Sequence, residues 1–256
     1  MTELEYILAD PTGNITVLVT TPTEEALQPS VAARLMKTEP MAEQVGFLDV
    51  ENRTLRMAGG EFCGNASMSA AAVCAEARGI TSGRVELSVS GAEEKIGVTL
   101  SRQGIRWQAK ADMPLPLSVG ERDTPVGKMG FVRFAGISHL ISERPLERAA
   151  AEKLVRSLCP VLSPAGLGLM QLDTDRDRMT PLVYIPAADT LFWESSCGSG
   201  TAAAAAYTAV KWGSCTLRLN QPAGMLSAEA EVSRGKVTAL RLGGSVKLLY
   251  RQKVNI

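Results

Sequence analysis

The sequence lacks the features that mark nucleic-acid-binding, membrane and exported proteins. Its 27 lysines and arginines are balanced by 27 aspartates and glutamates, so there is no charge excess for binding nucleic acid or a membrane surface. No apolar run approaches the roughly 18 residues of a membrane span. The acidic N-terminus, residues 1–6, lacks the basic segment that opens a signal peptide. We therefore expect a cytoplasmic protein that binds neither nucleic acid nor membrane.

Metal-binding and hydrolase motifs are also missing. Five cysteines, an odd number, occur without any Cys-x-x-Cys pair, and His139 is the only histidine. This argues against a zinc site built from cysteine and histidine. There is no Gly-x-Ser-x-Gly motif, so a serine hydrolase is not expected, and no lysine stands in a recognisable pyridoxal phosphate context. We predict reduced thiols, no metal and no cofactor.

The 256 residues suffice for one large domain or two domains of about 120 residues each. Apolar stripes predict helices at 29–36 and near 145–158. Short alternating runs predict strands at 4–8, 15–19, 45–50, 53–57, 84–89, 95–100, 104–109, 130–135, 167–172, 181–185, 215–219, 225–232, 236–242 and 245–250. The proline-containing stretch 112–118 is the predicted linker, and the strand and helix pattern restarts beyond it.

Two segments of the chain share a template. Cys63 and Cys197 are each followed by a glycine and an alanine-rich run, which stops at Gly79 or Gly213. Counted from each cysteine, seven of seventeen positions are identical, and the residue four positions on is serine in one segment and threonine in the other. The segments lie 134 residues apart, close to half the chain, so we interpret the chain as two duplicated halves.

Each cysteine is predicted to precede a helix of good propensity that has a glycine just past its end. Free N–H groups and the helix dipole favour negative charge there, so each thiol pKa is expected to lie below the ordinary value of about 8.5. Small alanines allow each helix to be enclosed on all sides. A carboxylate held by both helix starts would place one sulfur on each side of its α-carbon. Cys63 and Cys197 would then be base and acid in a cofactor-independent racemisation.

The cysteines and the glycine-rich segment also have structural or cofactor-binding interpretations. A free cysteine is most often a small buried hydrophobe, and we assign that role to Cys74, Cys159 and Cys215. Residues 198–203 fit the Gly-x-Gly-x-x-Ala pattern of dinucleotide-binding proteins. No acidic residue lies between Glu194 and Glu229 to bind a ribose, so we reject that match.

The motifs at 61–66 (Glu-Phe-Cys-Gly-Asn-Ala) and 196–201 (Ser-Cys-Gly-Ser-Gly-Thr) resemble the two catalytic motifs of the diaminopimelate epimerase superfamily. The second motif also resembles that of proline racemase. A denser resemblance, over nearly the whole chain, is to the histidine racemases of staphylopine-type metallophore synthesis. It is strongest at 11–14, 43–47, 60–69, 181–186 and 193–201, and a later Gln221-Pro222 also fits.

The resemblance implies an α/β (α+β) fold of two pseudo-symmetric lobes, each a β-barrel-like sheet around a central helix, with the active site between them. The implied lobes are 1–115 and 119–245, with a final strand at about 246–256 that returns to the first lobe. It also implies a small-molecule amino-acid substrate and a homodimer.

Carried over position by position, the resemblance implies a set of site residues. Cys63 and Cys197 are the implied catalytic pair. Substrate binding is implied for Asn14, Gln44, Gly64, Asn65, Gly198 and Ser199, of which the two glycines and the serine belong to turns that cradle a carboxylate. Two further residues are candidate orienting groups. For His139 the alternative is a buried structural histidine, and for Glu194 it is a solvated loop carboxylate.

The resemblance to histidine racemases implies histidine as substrate, and a departure from diaminopimelate epimerase argues against diaminopimelate. That enzyme holds the distal end of its substrate with a Glu-Arg pair eight to nine residues before the second cysteine, where this chain has Ala188 and Asp189. A distal carboxylate would lose its bidentate partner, whereas an acidic residue suits a neutral or cationic side chain. We predict L- and D-histidine, or a similar polar amino acid, as substrate. The alternatives are a proline- or hydroxyproline-type epimerase and a non-catalytic amino-acid-binding module.

Overall fold

The computed structural model describes residues 3–163 and 165–255. The chain forms two compact units: unit 1 comprises Met1–Asp112 and Gly243–Ile256, and unit 2 comprises Met113–Leu242. Within the described ranges, no helix is both long enough and apolar enough to cross a membrane.

Helices and strands follow one another along the chain, with short 3₁₀ turns at Glu25–Leu27, Thr174–Arg176 and Pro186–Ala188. In chain order they are β1 (Glu3–Pro11), β2 (Thr16–Val19), α1 (Gln28–Thr38), β3 (Gln44–Asp49), β4 (Thr54–Met57), α2 (Gly64–Ala77), β5 (Ser82–Val89), β6 (Ile96–Gln103), β7 (Arg106–Asp112), β8 (Ser118–Thr124), β9 (Gly127–Arg133), β10 (Ser138–Ser142), α3 (Arg148–Leu162), β11 (Leu167–Asp173), β12 (Arg178–Ile185), β13 (Thr190–Trp193), α4 (Gly198–Trp212), β14 (Cys215–Gln221), β15 (Gly224–Ser233) and β16 (Lys236–Asn255). The long strand β16 contributes to both units, since the division falls after Leu242.

Unit 1 is built on a closed barrel. Its strands are hydrogen-bonded in the order β1-β2-β3-β4-β5-β6-β7-β16, and β1 also pairs with β16, which closes the sheet. The pairs β1–β2, β3–β4, β5–β6 and β6–β7 are antiparallel, whereas β2–β3 and β4–β5 are parallel. The parallel pairs are those joined through α1 and α2, because parallel neighbours need a crossover connection.

Helix α2 lies within this barrel. Its residues 64–75 are all buried, and it contacts β1, β2, β5, β6 and β7. A helix surrounded by strands must be apolar or small on every face, and the alanine and serine side chains of α2 meet that requirement. The enclosure predicted from the alanine-rich sequence is therefore observed.

Unit 2 repeats the arrangement around α4. Its strands follow the order β8-β9-β10-β11-β12-β14-β15-β16, and β13 pairs with β12. From β9 to β15 the pairings alternate antiparallel, parallel, antiparallel, parallel, antiparallel, as they do from β1 to β6. Helix α4 contacts β8, β9, β10, β11, β14 and β15 and is buried over most of its length. The predicted α/β fold of two pseudo-symmetric lobes around central helices is confirmed.

Helices α1 and α3 cover the outer faces of their sheets. Helix α1 buries Val31, Ala32 and Leu35 in a core shared with β1, β2 and β3. Helix α3 buries its apolar stripe against β11 and β12 in the same manner. Each of these helices is thus amphipathic, in contrast to α2 and α4.

A buried carboxylate ties together the two strands that close the barrel of unit 1. Glu39, which follows α1, is only 7% exposed. One of its oxygens accepts a hydrogen bond from Tyr6 on β1, and the other accepts from Tyr250 on β16 at 2.7 Å. Burial and the neighbouring Glu39 carboxylate raise the pKa of Tyr6 well above its usual range. Both tyrosines therefore stay protonated and act as donors.

The structure differs from the sequence-based expectations in a few elements. Strands β8, β10 and β13 have no predicted counterpart, because β8 is polar and mostly exposed and the other two are only five and four residues long. The runs at 236–242 and 245–250, expected as two strands, are parts of the single strand β16.

Candidate active site

The two repeated cysteines occupy the same position in the two units. Cys63 precedes the first residue of α2 with φ −132° and ψ 113°, and Cys197 precedes α4 with φ −124° and ψ 106°. Each Sγ accepts a hydrogen bond from the backbone N–H three residues on, that of Ala66 at 3.4 Å and that of Gly200 at 3.3 Å. Each thiol therefore caps the N-terminus of a buried helix.

The repeated serine or threonine four residues after each cysteine also has a structural role. The Ser67 hydroxyl donates to the Cys63 carbonyl at 2.7 Å, and the Thr201 hydroxyl donates to the Cys197 carbonyl at 2.6 Å. Gly64 and Gly198, the first helical residues, are both buried. The cysteine, the following glycine and the serine or threonine of the template thus have the same local geometry in both units.

Glycine at position 200 leaves room for the Met170 side chain and the Cys197 sulfur. A Cβ built on Gly200 would lie 2.0 Å from the Met170 sulfur and 3.0 Å from the Cys197 sulfur. In unit 1 the matching residue is Ala66, which is fully buried and accommodated. The second cysteine is therefore packed more tightly against its own lobe.

In unit 1, three predicted substrate-binding residues form one hydrogen-bonded cluster. The Asn14 amide donates to Glu43 at 2.6 Å, so its oxygen must accept, and it does so from Gln44 at 2.7 Å and from Asn65 at 3.1 Å. Gln44 also donates to Thr16 at 2.8 Å. The Asn65 NH₂ group donates to Asn14, so the Asn65 side-chain oxygen is available as an acceptor. This buried oxygen has no hydrogen-bond partner within the described residues.

Cys63 lies beside this cluster, and burial dominates its protonation. Burial raises the pKa of the Cys63 thiol to about 11. The N–H of Ala66 and the side chain of Gln44 work in the opposite direction, because both can hydrogen-bond to the thiolate. A nearby carboxylate, Glu61, adds to the increase.

In unit 2, Cys197 is approached by three predicted residues. The Ser199 hydroxyl lies 3.7 Å from the Cys197 sulfur and 3.0 Å from Nε2 of His139. Burial raises the pKa of the Cys197 thiol well above its usual range, and the Glu194 carboxylate raises it further. Hydrogen bonds from Ser199 and from the Gly200 N–H oppose this.

His139 is fully buried, and burial lowers its pKa to about 3, so the imidazole is neutral. Its Nδ1 has no hydrogen-bond partner in the described part of the chain. A hydrogen on Nδ1 would be a buried donor without a partner, which is costly. We therefore assign the hydrogen to Nε2, which donates it to Ser199. The Ser199 hydroxyl is then free to point its own hydrogen at the Cys197 sulfur.

The expectation that helix N-termini would lower both thiol pKa values is wrong. The N–H groups do favour the thiolates, as predicted, but the enclosure of both helices removes the sulfurs from water, and that effect is larger. Both thiols are therefore protonated at neutral pH in the absence of substrate.

Asp189, the acidic residue expected to suit a neutral or cationic substrate side chain, has partners within unit 2. Its carboxylate pairs with Arg156 at 2.7 Å and accepts from the Tyr184 hydroxyl at 3.1 Å, which lowers its pKa. The Asp189 carboxylate is therefore ion-paired with Arg156 on α3 and hydrogen-bonded to Tyr184 on β12.

The other three cysteines are free thiols whose sulfurs face backbone carbonyls. Cys74 and Cys159 are buried, and Cys215 is half-buried. Their nearest acceptors are the carbonyls of Val50, Ser163 and Ala205, respectively. Among the residues described, no group of histidine, cysteine, aspartate and glutamate side chains is arranged to hold a metal ion.

The structure thus gathers the predicted site residues into two sets. Asn14, Gln44, Gly64 and Asn65 surround Cys63 in unit 1, and the remaining residues surround Cys197 in unit 2. Residues 3–254 match the family described as "Histidine racemase CntK N-terminal domain". The chain belongs to this histidine racemase family. A histidine racemase from Fusobacterium nucleatum is 35% identical over 214 residues, which cover 80% of this chain and 81% of that protein.

The protein is accordingly an amino-acid racemase, an isomerase, and its fold has solved counterparts. A predicted epimerase from Pseudomonas aeruginosa matches with a TM-score of 0.72 and 17% identity over 99% of each chain. A hydroxyproline epimerase from Agrobacterium vitis, with bound trans-4-hydroxy-L-proline, matches with a TM-score of 0.68 and 12% identity, covering 98% of this chain and 92% of that one. At these identities the likeness shows the fold alone.

Sequence reasoning overlooked three polar residues of the racemase. Glu43 and Thr16 hold the Asn14 and Gln44 side chains. Gln221 fits the family motif but has no predicted role, and the structure places it on the Cys197 backbone. The resemblance includes Glu43 in the stretch 43–47 and also includes Gln221, but nothing in the sequence points to Thr16.

Proposed function

We propose that this racemase interconverts L- and D-histidine without pyridoxal phosphate, with Cys63 and Cys197 as the acid/base pair. The observation that carries the proposal is the repeated cap: each thiol occupies the same position before a buried helix and accepts the N–H three residues on. Two thiols in matched settings suit a reaction whose two directions are equivalent. Histidine is proposed because the family and its Fusobacterium nucleatum member carry that name.

In the proposed reaction one sulfur is a thiolate and the other a thiol. The thiolate removes the α-proton from one face of the substrate, and the thiol delivers its proton to the opposite face of the resulting carbanion. The enzyme is left with the two protonation states exchanged. The raised pKa of each thiol suits this step, because a thiolate of higher pKa is a stronger base towards a weakly acidic C–H bond.

The turns at Gly64, Gly198 and Ser199 are proposed to bind the substrate carboxylate. Free N–H groups at the starts of α2 and α4 favour an anion. They would also stabilise the negative charge that moves onto the carboxylate as the proton leaves. The unpartnered Asn65 oxygen is proposed to accept a hydrogen bond from the α-ammonium group, and Asn14 and Gln44 hold it in place.

His139 and Glu194 are proposed as orienting groups for Cys197. The neutral imidazole donates to Ser199, and this directs the Ser199 hydrogen towards the sulfur. The Glu194 carboxylate interacts with the same thiol and favours its protonated form. Together they would leave Cys197 protonated in the free enzyme and able to give its proton to a carbanion.

Hydrogen exchange at the α-carbon tests the proposal directly. Reduced protein is incubated in heavy water with L-histidine, L-proline, trans-4-hydroxy-L-proline and other L-amino acids, and α-hydrogen loss is followed by proton NMR with chiral chromatography. We expect exchange and D-histidine formation with histidine. Exchange only with proline-type substrates would replace histidine racemisation by a hydroxyproline-type epimerisation. Tight binding without exchange would indicate an amino-acid-binding module.

Three variants test the thiols. Cys63→Ser and Cys197→Ser are each expected to lower racemisation by at least about 1,000-fold, because serine is a far weaker acid and base at neutral pH. Cys215→Ala, a change to a half-buried thiol outside both sets of site residues, is the matched control and is expected to retain activity. Substantial activity in both serine variants would overturn the two-thiol mechanism.

We further propose that the racemase is a cytoplasmic homodimer that supplies D-histidine for metallophore synthesis. Its support is the resemblance to the staphylopine-type racemases. Sedimentation analysis of the purified protein tests the dimer, and a single species at the 27.2 kDa chain mass would overturn it.

A further inference from the structure

The backbone of Cys197 is held by a closed ring of hydrogen bonds. The Cys197 N–H donates to Oε1 of Gln221 at 2.8 Å, and Nε2 of Gln221 donates to the Thr201 hydroxyl oxygen at 2.8 Å. The Thr201 hydroxyl in turn donates to the Cys197 carbonyl at 2.6 Å. All three residues are buried. The ring therefore holds both backbone polar groups of one residue in a site where an unpaired group would be costly.

The backbone groups determine the direction of every bond in the ring. The Cys197 N–H can only donate and its carbonyl can only accept, so Thr201 must give its hydrogen to the carbonyl. The Thr201 oxygen then needs a donor, and the far end of the Gln221 side chain must offer an acceptor and a donor side by side. A primary amide supplies both, whereas a carboxylate supplies two acceptors. The ring thus requires a glutamine rather than a glutamate.

The turn that carries Gln221 supports the same stretch of chain a second time. Gln221 ends β14 and pairs in register with Gly224 at the start of β15. Between them, the Ala223 N–H donates to the Ser195 carbonyl at 3.0 Å. The hairpin tip therefore holds the chain on both sides of Ser196, immediately before the cap at Cys197.

The glutamine ring distinguishes the second cysteine from the first. The Cys63 carbonyl accepts from Ser67, as the Cys197 carbonyl does from Thr201. The strand of unit 1 that corresponds to β14 is β5, which ends in Val89; the next residue, Ser90, donates its hydroxyl to the Glu61 carbonyl at 2.8 Å, and no glutamine bonds to the Cys63 backbone among the described residues. The glutamine is therefore a feature of one half of the duplicated chain.

We propose that Gln221 is a positioning residue for the Cys197 thiol: it fixes the backbone torsions of Cys197 and so aims the sulfur at the α-carbon of the substrate. This inference rests on the proposed function of Cys197. Small displacements of a reacting group cost rate rather than substrate affinity, since the substrate is bound through other contacts. Gln221 acts through Cys197 and makes no contact with the reacting atoms in this proposal.

Gln221→Met tests the proposal, because methionine has a similar volume but can neither donate to Thr201 nor accept from Cys197 as an amide does. We expect kcat for histidine racemisation to fall about 10- to 100-fold with little change in KM. Thr201→Val, which breaks the ring at its other side, is expected to have the same effect, and Thr201→Ser, which keeps the hydroxyl, to restore activity. An unchanged kcat in Gln221→Met and Thr201→Val would overturn the inference.

Isotope effects separate positioning from general loss of structure. The enantiomers have equal free energy, so kcat/KM is the same in both directions and cannot show which thiol is impaired. The deuterium isotope effect on kcat/KM can, because an impaired base makes its own proton removal more rate-limiting. With α-deuterated L- and D-histidine, Gln221→Met should raise the effect for one enantiomer only. Ser67→Ala, the matched change beside Cys63, should raise it for the other.

The outcomes distinguish this inference from the proposed function. If Cys197→Ser keeps its activity, the proposed function of Cys197 fails, and the inference fails with it. If Cys197→Ser is inactive while Gln221→Met shows wild-type kcat and isotope effects, the positioning role alone is wrong. An equal rise of the isotope effect for both enantiomers in Gln221→Met would also overturn the positioning role. Should Gln221→Met not fold, as judged by circular dichroism, the Thr201→Val and Thr201→Ser pair decides by the same isotope effects.

Discussion

His139 makes the folding stability of the racemase depend on pH in a defined direction. Burial lowers the pKa of this histidine to about 3 in the folded protein, whereas a histidine in an unfolded chain has a pKa of about 6.5. As the pH falls below about 6.5, the unfolded chain binds a proton that the folded chain does not, so the free energy of unfolding decreases. At about pH 5 this loss amounts to about 2 kcal/mol. The figure holds for any folded pKa well below 5, because the imidazole is then neutral in the folded protein throughout this range.

Urea unfolding followed by circular dichroism between about pH 8 and pH 5 measures this loss. His139 is the only histidine in the chain, so His139→Gln removes the whole histidine contribution. Carboxylates titrate in the same range, but they contribute to both proteins, and the difference between the two proteins isolates the imidazole. We expect the wild type to lose about 2 kcal/mol more than the variant. Equal losses would show that the imidazole is not held neutral in the folded protein.

Three further outcomes follow from the structure. Because the pKa of the Cys63 thiol is about 11, few enzyme molecules carry the Cys63 thiolate at neutral pH. In initial-rate assays kcat/KM should therefore rise about tenfold per pH unit above about pH 7, and a flat pH profile would contradict this. Glu39→Ala leaves the hydroxyls of Tyr6 and Tyr250 without their acceptor. It should therefore lower the free energy of unfolding in urea by about 2–4 kcal/mol, and a decrease below about 1 kcal/mol would contradict this prediction. Gly168→Ala would place a Cβ 2.2 Å from Nδ1 of His139. This change should lower the free energy of unfolding, measured by thermal melts, by about 1–3 kcal/mol and should also reduce activity. An unchanged melting temperature would show that the imidazole is free to move.

The central helices were predictable because their signal is local. Alanine-rich runs with a glycine just past the end identify α2 and α4 from neighbouring residues alone, and the spacing of 134 residues predicts the duplication. Strands β8, β10 and β13 escape prediction for different reasons. β8 is polar and exposed at the edge of its sheet, and β10 and β13 are short strands that are extended because they pair with the neighbouring strands β9 and β12. Their extended form depends on pairing rather than on local preference.

The site residues likewise include some that the local sequence predicts and some that it does not. Cys63 and Cys197 stand out because the template repeats around them, and the resemblance adds Asn14, Gln44 and Asn65. The partner of Cys197 at Gln221 lies 24 residues away along the chain, beyond the helix and a strand. No spacing rule connects a strand end to a helix cap, so such a contact becomes visible only when the strand order is known.

The thiol pKa values show why a local pattern can predict a position and still give the wrong protonation state. A helix N-terminus stabilises a negative charge by about 0.3–2 kcal/mol, whereas removing that charge from water costs several kcal/mol. The outcome depends on how deeply the sulfur lies, and strands from the whole unit determine that depth. The alanines that identify α2 and α4 in the sequence are the residues that allow strands to enclose them. The feature that locates each thiol at a helix start therefore also buries it and raises its pKa, and in the proposed reaction that burial makes each thiolate a stronger base.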